Sequence, residues 1–318
     1  MRTSVIVPTY NGRDHLREVV RRILADPATD ELIVIVDGST DGSIELLAEL
    51  ERDDDRLVCR LVENGGADRA RQIGAEMAAG DLIVFIDDDV QIGPGTVTGH
   101  HEYHAKTDHA VLLGYMPVKL PLRRAVRHMY VYFYAGTYNR HVAQWEEQPS
   151  TILEHFWGGH FSMRRSDALV VGMATRGSKV TYHEDYVFGL RCRAAGLIGG
   201  FDRSLISDHC FTRGTKAFIR DAYLQGMDHK AMWEMDDSRQ PSEAAAQRRD
   251  WRQRSLAIAA RDPFVMPISR FLLVAIAAAS VTGAHGRETL WARRLQALHQ
   301  VRGRRDWATR PDLAPRVR

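Results

Sequence analysis

Acidic side chains follow two apolar runs of the chain, where they could bind a nucleotide or a metal ion. Asp87, Asp88 and Asp89 come directly after the run that begins at Leu82. Adjacent carboxylates repel one another unless a cation neutralises them, and Mg²⁺ or Mn²⁺ prefers oxygen ligands that it shares with substrate phosphates. A solvated acidic turn that caps the next helix is the alternative, and these residues alone leave both interpretations open.

Two further polar segments could contact the same substrate. Asp37 ends another apolar run and precedes Gly38, so its carboxylate could accept hydrogen bonds from a base or a ribose hydroxyl. The segment Asn64–Gln72 places glycines ahead of a helix that carries Arg71, where backbone amides and a cation could bind an anion. The structural alternatives are an N-capped turn and a surface arginine.

The elements that must position these groups alternate between strand and helix patterns. Apolar runs predict strands over Thr3–Pro8, Glu31–Asp37, Leu57–Glu63 and Leu82–Asp87. Amphipathic spacing predicts helices over Asp14–Ala25, from the caps at Ser39–Asp41 through Leu50, and over Ala67–Ala78. This alternation indicates a parallel sheet covered on both faces, in which ligands bind beyond the carboxyl ends of the strands. Those ends lie at Pro8–Asn11, Asp37–Ser39 and Asp87–Asp89.

The second half of the chain is less regular. Helices are predicted over Leu122–Ala143 and Glu184–Ala194, with an extended segment over Leu197–Cys210 and mostly helical structure from Lys216. The first of these helices is rich in aromatic residues, which are expected in the core, with stacking on an acceptor as the alternative. Only the Arg-rich tail, Arg302–Arg318, has a composition typical of disorder.

Composition excludes several classes of partner and site. The 318 residues are 44% hydrophobic and 26% charged with a net charge of +2, so neither nucleic acid nor a strongly acidic partner is required. Cys59, Cys192 and Cys210 are far apart, which argues against a disulfide framework or a structural zinc site and suggests a reducing compartment.

The apolar segments of the chain predict a cytoplasmic enzyme. The residues after Met1 do not resemble a secretory signal, because the first apolar run ends at Pro8. The longest apolar stretch, Phe264–Ala284, is interrupted by Pro267 and Arg270, and a bilayer requires about 20 apolar residues. A buried helix is favoured there, and peripheral contact with the inner membrane face is left open.

Four segments taken together resemble the family 2 glycosyltransferases in order and spacing. The segments read VIVPTYNG from Val5, VIVDGSTDG from Val34, NGGADRARQIG from Asn64 and AAGDLIVFIDDD from Ala78. The resemblance implies a GT-A fold, which is α/β with a Rossmann-like, mostly parallel sheet flanked by helices. It also implies a nucleotide-diphosphate-sugar donor, with UDP favoured, a divalent metal (Mg²⁺ or Mn²⁺) and inversion at the anomeric carbon.

The resemblance also implies roles for individual residues. The implied donor-nucleotide residues are Pro8, Thr9, Tyr10, Asn11, Asp37, Arg71, Asp87 and Asp88. Asp89 is the implied metal ligand, and His209 is a candidate second ligand because similar enzymes complete the site with a downstream histidine. The family more often has two carboxylates where this chain has Val36 and Asp37, which weakens that part of the match.

The acceptor side and the catalytic base are implied further along the chain. Trp157, Gly158 and Gly159 resemble the family's acceptor-side segment, and Glu184 and Asp185 open a helix as the family's base does. A helix N-terminus stabilises an ionised carboxylate, which suits a base that takes a proton from a sugar hydroxyl. Asp185 is the assigned base and Glu184 its competitor, and a simple helix cap is the structural alternative.

The predicted organisation has three parts. Residues 1–115 form the donor half, residues 116–230 form the acceptor half with the base, and residues 231–318 form a helical C-terminal extension. The predicted reaction is metal-assisted direct displacement onto the hydroxyl of a small-molecule, glycan or lipid-linked acceptor that the sequence does not identify.

Three other functions are alternatives to this one. A polymerising synthase needs a QxxRW segment, and Gln247–Trp251 has Asp250 where arginine is needed. A dinucleotide-dependent oxidoreductase needs GxGxxG after the first strand, and the loop is Pro8–Gly12 instead. A non-catalytic nucleotide-binding scaffold on the same fold stays the main alternative, although the intact carboxylate set argues against it.

Overall fold

The computed structural model describes residues 1–122, 124–173, 182–235 and 251–309. These residues fall into two compact units. The first lies within Met1–Lys119, Thr137–Arg176 and Asp185–Phe211, and the second lies within Leu120–Gly136, Gly177–Glu184 and Thr212–Arg318. Gln247–Asp250, the segment compared with QxxRW, lies outside the described residues.

A mixed eight-stranded sheet forms the core of the first unit. Its strands are β1 (Thr3–Thr9), β2 (Glu31–Asp37), β3 (Leu57–Val62), β4 (Leu82–Ile86), β5 (Val90–Ile92), β6 (Ala110–Tyr115), β7 (His160–Arg164) and β8 (Ile198–His209). The strand order is β3-β2-β1-β4-β7-β6-β8-β5. The first four strands pair in parallel, β7 is antiparallel to both of its neighbours, β8 is parallel to β6, and β5 is antiparallel to β8.

Six helices that the structure describes in the first unit lie between the strands in the chain. They are α1 (Arg13–Leu24), α2 (Ser43–Leu50), α3 (Ala67–Met77), α4 (Thr96–His104), α6 (Arg165–Val171) and α7 (Glu184–Ala194), the last of which begins at the boundary of the unit. Strands β1 and β4 are buried along their whole length, as their unbroken apolar runs require. The α/β architecture predicted from the alternating patterns is confirmed.

The second unit is helical. Its helices include α8 (Thr215–Met235), α9 (Trp251–Ala259), α10 (Val265–Val281) and α11 (His285–Thr309), and α5 (Met129–Glu147) contributes residues to both units. The prediction that a helix begins at Leu122 is wrong: a 3-10 turn over Val126–His128 precedes α5. The tail was also expected to leave regular structure at Arg302, whereas α11 continues to Thr309.

Two tyrosines of α5 belong to the core, as the sequence predicts. Tyr130 and Tyr138 are buried, Tyr130 donates a hydrogen bond to Asp221, and the Tyr138 hydroxyl accepts one from the backbone amide of Met116. Each hydroxyl is therefore satisfied inside its own unit, as a buried tyrosine requires. Among the described residues, no helix combines the length and apolarity needed to cross a bilayer.

A buried chain of histidines and serines lies in the first unit. His104 Nε2 is 2.9 Å from Ser162 Oγ, which is 2.7 Å from His100 Nδ1. His100 Nε2 is 2.9 Å from His160 Nε2, and His160 Nδ1 is 3.1 Å from Ser207 Oγ. These links join α4, β7 and β8 through side chains that are almost completely buried.

Acid is expected to destabilise the protein through these histidines. Burial lowers the pKa of His104 to about 4 and that of His160 to about 3, and holds the pKa of His100 well below its usual value. The unfolded chain, with histidine pKa values near ~6.5, binds protons that the folded chain does not, so the free energy of unfolding falls as the pH drops below about 6.5. Between about pH 7.5 and about pH 5, each histidine should remove about 2 kcal/mol. Urea denaturation measures this loss, and equal unfolding free energies at the two pH values would contradict it.

Candidate donor and catalytic site

The carboxyl ends of β1 and β4 are joined by a buried hydrogen bond. Thr9 Oγ1 donates to Asp88 Oδ2 over 2.6 Å. A Cβ atom added at Gly12 would overlap the Asp88 carboxylate, so only glycine allows this close approach. Burial raises the pKa of Asp88 to about 7, although the Thr9 hydroxyl acts in the opposite direction. Asp88 therefore contacts both ends of the loop after β1, at Thr9 and at Gly12.

Two hydrogen bonds join the loops that follow β1 and β2. The backbone amide of Asn11 donates to Ser39 Oγ over 2.9 Å, and Asn11 Oδ1 accepts from the amide of Thr40 over 2.9 Å. Asn11 has a φ of 54°, a left-handed conformation that asparagine tolerates. Pro8 lies within β1 and pairs with Ile35 of β2, whereas the Tyr10 side chain beside them is 59% exposed. Tyr10 is thus available to a ligand above the strand ends.

Asp37 is buried at the end of β2 and holds the glycine loop that precedes α3. Its two carboxylate oxygens accept from the amides of Gly65, over 2.7 Å, and Gly66, over 2.8 Å. Its carbonyl accepts from Asn64 Nδ2 over 2.9 Å. Each carboxylate oxygen has a second lone pair, so Asp37 could also accept from a nucleobase.

Arg71 lies at the centre of a buried charge cluster. It is 6% exposed and donates to Asp87 Oδ1 over 2.5 Å and to Asp68 Oδ1 over 3.0 Å. The pKa of Arg71 is raised, because the attraction of Asp87 and Asp68 outweighs the loss of hydration. Burial raises the pKa of Asp68 against the opposing effect of Arg71. Arg71 therefore does not project freely from α3, as a surface arginine would.

The double glycine lies against two of the predicted carboxylates. The Gly158 amide donates to Asp185 Oδ2 over 2.9 Å, and the Gly159 carbonyl accepts from the Asp87 amide over 3.0 Å. A Cβ atom at Gly158 would lie 2.5 Å from Asp185 Oδ1. The structure thus brings together Asp185 of α7, Asp87 after β4 and the segment that enters β7.

Asp185 has the electrostatic surroundings of a base that works near neutral pH. Loss of hydration raises the pKa of its carboxyl to about 6, while Arg71 and the Gly158 amide act in the opposite direction. A general base is most effective when its pKa lies near the working pH. Glu184, the competing candidate, is the residue before Asp185 and opens the same helix.

Asp89 and His209 are neighbours because of strand pairing. Strand β5 pairs antiparallel with β8 so that Val90 faces His209, and the Asp89 carbonyl accepts from the Cys210 amide over 2.8 Å. Asp89 Oδ2 lies 3.4 Å from His209 Nε2. An oxygen donor and a nitrogen donor therefore face each other at the sheet edge.

This donor set fits a divalent ion that is shared with a substrate. In the part of the chain that the structure describes, no group of three or more His, Cys, Asp or Glu side chains is arranged as a complete metal site. Mg²⁺ is commonly held by one or two carboxylates together with substrate phosphates rather than by an all-protein cage. The pair of Asp89 and His209 is compatible with that mode.

Several residues that support the site were not predicted. Asp68 binds Arg71, Gly12 makes room for Asp88, and Asn64 holds the Asp37 carbonyl. Of these, only the contact between Asp68 and Arg71 could be found from the sequence, since acidic and basic residues three apart on a helix are neighbours.

The predicted acceptor-side residue Trp157 packs edge-to-face on Tyr138, with 5.6 Å between the ring centroids.

An alanine at position 158 should displace Asp185 and slow the reaction. The new methyl group would lie 2.5 Å from Asp185 Oδ1, so the carboxylate must move, and a shift of about 1 Å can cost about 10²-fold in rate. We expect Gly158→Ala to lower kcat by about that factor. Gly286→Ala is the matched control, because nothing lies within 4 Å of an added Cβ atom there. Equal rates for the two variants would contradict the contact.

The comparisons with known proteins identify the class. The family model described as glycosyl transferase family 2 matches residues 4–169. This match covers most of the first unit, including the strand ends and the double glycine. The chain therefore belongs to glycosyl transferase family 2.

Curated relatives match a part of the chain. Glycosyltransferase GlyA of Streptococcus pneumoniae is 36% identical over 87 residues, which are 27% of this chain and 12% of the relative. Poly(ribitol-phosphate) beta-glucosyltransferase of Bacillus spizizenii is 28% identical over 119 residues, which are 36% of this chain and 19% of the relative. The matched segments thus span only a small part of the length of these relatives.

Solved structures share the fold over almost the whole chain. Mannosyltransferase PcManGT from Pyrobaculum calidifontis, in complex with GDP-Man and Mn²⁺, has a TM-score of 0.58 at 17% identity and covers 95% of this chain and 86% of its own. TarS 1–349 of S. aureus has a TM-score of 0.51 at 16% identity and covers 97% and 92%. At this identity the likeness establishes the GT-A fold.

Proposed function

We propose that this glycosyltransferase moves a sugar from a nucleotide-diphosphate-sugar to an acceptor hydroxyl by a single inverting displacement. The observation that carries the proposal is the double glycine. Gly158 is bound to Asp185, and Gly159 is bound to Asp87 at the end of β4. A base and a carboxylate of the donor loop therefore flank one short segment, as transfer between a donor and an acceptor requires.

The donor side is proposed to use the residues at the strand ends. The loop Pro8–Asn11 and Asp37 would contact the base and ribose, supported by Asn11 holding Thr40 and by the remaining acceptor capacity of Asp37. Asp87 and Asp88 would lie nearest the ribose and diphosphate, where Arg71 offsets the negative charge of Asp87. UDP is the favoured nucleotide because the four motifs of this chain resemble those of the family 2 glycosyltransferases.

The acceptor side is proposed to supply the base. Asp185 takes the proton of the acceptor hydroxyl as its oxygen forms a bond to the anomeric carbon. The bond from that carbon to the diphosphate oxygen breaks on the opposite face, and the electron pair leaves with the diphosphate. Trp157, Gly158 and Gly159 would line the acceptor side. A divalent ion held by Asp89 and His209 would neutralise charge on the leaving group.

The cysteines support a further part of the proposal, that the enzyme acts in a reducing compartment. Cys59, Cys192 and Cys210 are all unbridged, and burial raises the pKa of the Cys59 and Cys192 thiols to about 12. Such thiols are inert, which suits a cytoplasmic enzyme that takes its donor from the cytoplasmic pool.

Thermal unfolding with nucleotides tests the donor site. UDP, GDP, dTDP and CDP are each added with and without Mn²⁺ to the wild type and to Asp89→Ala. A diphosphate at about 100 times its Kd stabilises the folded protein by about 2.7 kcal/mol. We expect UDP with Mn²⁺ to give the largest rise in Tm and Asp89→Ala to lose it. Asp208→Ala, a neighbouring half-exposed carboxylate, is the control that should keep it.

Three outcomes of this experiment decide different parts of the proposal. A rise with another diphosphate would correct the nucleotide, and a rise that survives in Asp89→Ala would remove Asp89 from the metal site. No rise with any diphosphate, for a wild type that unfolds cooperatively, would contradict the donor site.

A further inference from the structure

One face of helix α10 is buried in the second unit. Val265, Ser269, Leu272, Ile276 and Ala279 are buried, and α10 packs on α11. Spacing of three to four residues places these side chains along one side of the helix. The opposite side must therefore face outward.

That outward side is apolar along the whole helix. The exposed residues, called here the apolar stripe, are Phe264, Pro267, Phe271, Val274, Ala278 and Val281. Phe271 is 63% exposed, Val274 is 68% exposed and Val281 is 85% exposed. A helix of 17 residues is about 25 Å long, so the stripe is a continuous surface. Contiguous exposed apolar surfaces of this kind mark interaction sites.

The charges beside the stripe from Pro263 onward are positive, and the exposed Asp262 that precedes it lies 3.8 Å from Arg302 and 4.0 Å from Arg305. Arg270 is exposed at the edge of the stripe, and Arg287, Arg293 and Arg294 are exposed on the helix that follows. Between Pro263 and Leu295 the sequence contains one carboxylate, Glu288. Glu288 is 1% exposed and accepts a hydrogen bond from Arg124, so it offers no negative charge to the surface.

An aromatic residue joins the basic groups to the stripe. The ring of Trp291 contacts the ring of Phe271, with 6.3 Å between centroids, and the guanidinium of Arg294 lies 4.6 Å above the Trp291 ring. Tryptophan, phenylalanine and arginine are thus contiguous. Amphipathic aromatic rings favour the level of lipid headgroups, where one side is apolar and the other is wet.

We propose that the apolar stripe of α10 and the arginines beside it dock on the surface of an anionic lipid bilayer. The stripe would enter the boundary between headgroups and acyl chains, and Arg270, Arg287 and Arg294 would bind lipid phosphates. Phosphate headgroups are favoured over a protein surface because every exposed charge from Pro263 to Leu295 is positive. A protein partner would instead require complementary acidic side chains set around an apolar centre.

Co-sedimentation of the full chain with vesicles tests the proposal, without any donor or acceptor present. Vesicles of phosphatidylcholine alone are compared with vesicles that also contain phosphatidylglycerol. We expect binding to the anionic vesicles at about 0.1 M salt and its loss at about 1 M salt, where the Debye length falls from about 10 Å to about 3 Å.

Paired variants separate the apolar from the electrostatic contribution. Phe271→Ser combined with Val274→Ser should lower partition into anionic vesicles by about tenfold or more. Its control is Val170→Ser, a valine of the first unit that is 81% exposed. Arg270→Glu combined with Arg287→Glu should lower partition by a similar factor, whereas the exposed Arg52→Glu should not. All these side chains are exposed, so an unchanged Tm verifies folding.

Three outcomes would overturn the proposal. Failure of the wild type to bind anionic vesicles is the first, and equal binding to both kinds of vesicle at both salt concentrations is the second. The third is a concentration-dependent dimer that Phe271→Ser with Val274→Ser dissociates, because it would assign the stripe to a second copy of the chain. Nucleotide-dependent rises in Tm are measured separately, so these outcomes leave the donor-site proposal intact.

Discussion

The Asp185→Asn variant is expected to lose about 10³-fold in kcat while it keeps its fold. The asparagine side chain has the same shape as aspartate, and its oxygen can still accept the hydrogen bond that the backbone N–H of Gly158 donates to Asp185. It cannot take a proton from the acceptor, and loss of a general base costs about 10²- to 10⁴-fold. Steady-state transfer to a fixed acceptor measures the effect.

The pH dependence of the wild type gives this prediction a second readout. Since burial raises the pKa of Asp185 to about 6, kcat/KM should fall below about pH 6 as the carboxylate becomes protonated. The residual activity of Asp185→Asn should lack that acid limb. Glu184→Gln is the matched control, with a neighbouring carboxylate changed in the same way and an expected loss of less than about threefold. The reverse ranking of the two variants would assign the base to Glu184.

The Arg71→Ala variant is expected to unfold at much lower urea concentrations than the wild type. Its guanidinium binds the carboxylates of Asp87 and Asp68 within a buried cluster. Removal of one member of a fully buried ion pair costs about 3–5 kcal/mol, and because the Asp87 side chain is one-third exposed we expect about 2–3 kcal/mol here. The midpoint and slope of urea denaturation measure this cost. An unfolding free energy within about 1 kcal/mol of the wild type would contradict a buried cluster.

An arginine two residues earlier supplies the control. Arg69 is exposed and donates to the backbone carbonyl of Glu63, so Arg69→Ala should change the unfolding free energy by no more than about 0.5 kcal/mol. Arg71 also lowers the pKa of Asp185. Any residual activity of Arg71→Ala should therefore have its acid limb shifted to higher pH. This shift would distinguish an electrostatic role from a purely structural one.

The first half of the fold was predictable because its signals are local. Strands β1, β2 and β4 are unbroken apolar runs, and the polar residues that follow them meet at one sheet edge, as parallel strands require. Helix bounds agree within one or two residues for α1 and α3. The start of α5 was less predictable, because the 3-10 turn over Val126–His128 continues directly into the helix at Met129.

The long-range contacts in the site could not be predicted from the hydrophobic pattern of the sequence. The contact between Gly158 and Asp185, 27 residues apart, depends on how β7 and α7 are packed. Resemblance to a family pointed to both segments but gave no reason for their contact. The pairing of β5 with β8, which brings Asp89 to His209, is likewise an antiparallel addition that an alternating strand and helix pattern does not predict.

The histidine and serine chain of the first unit has a direction. Three neutral imidazoles carry one N–H each, so each link of the chain holds a single proton. One orientation must therefore run through every link, because a ring that donates from one nitrogen accepts at the other. The last link ends at Ser207, two residues before His209, so the tautomer of one distant ring sets where a hydroxyl near the proposed metal ligand points its hydrogen.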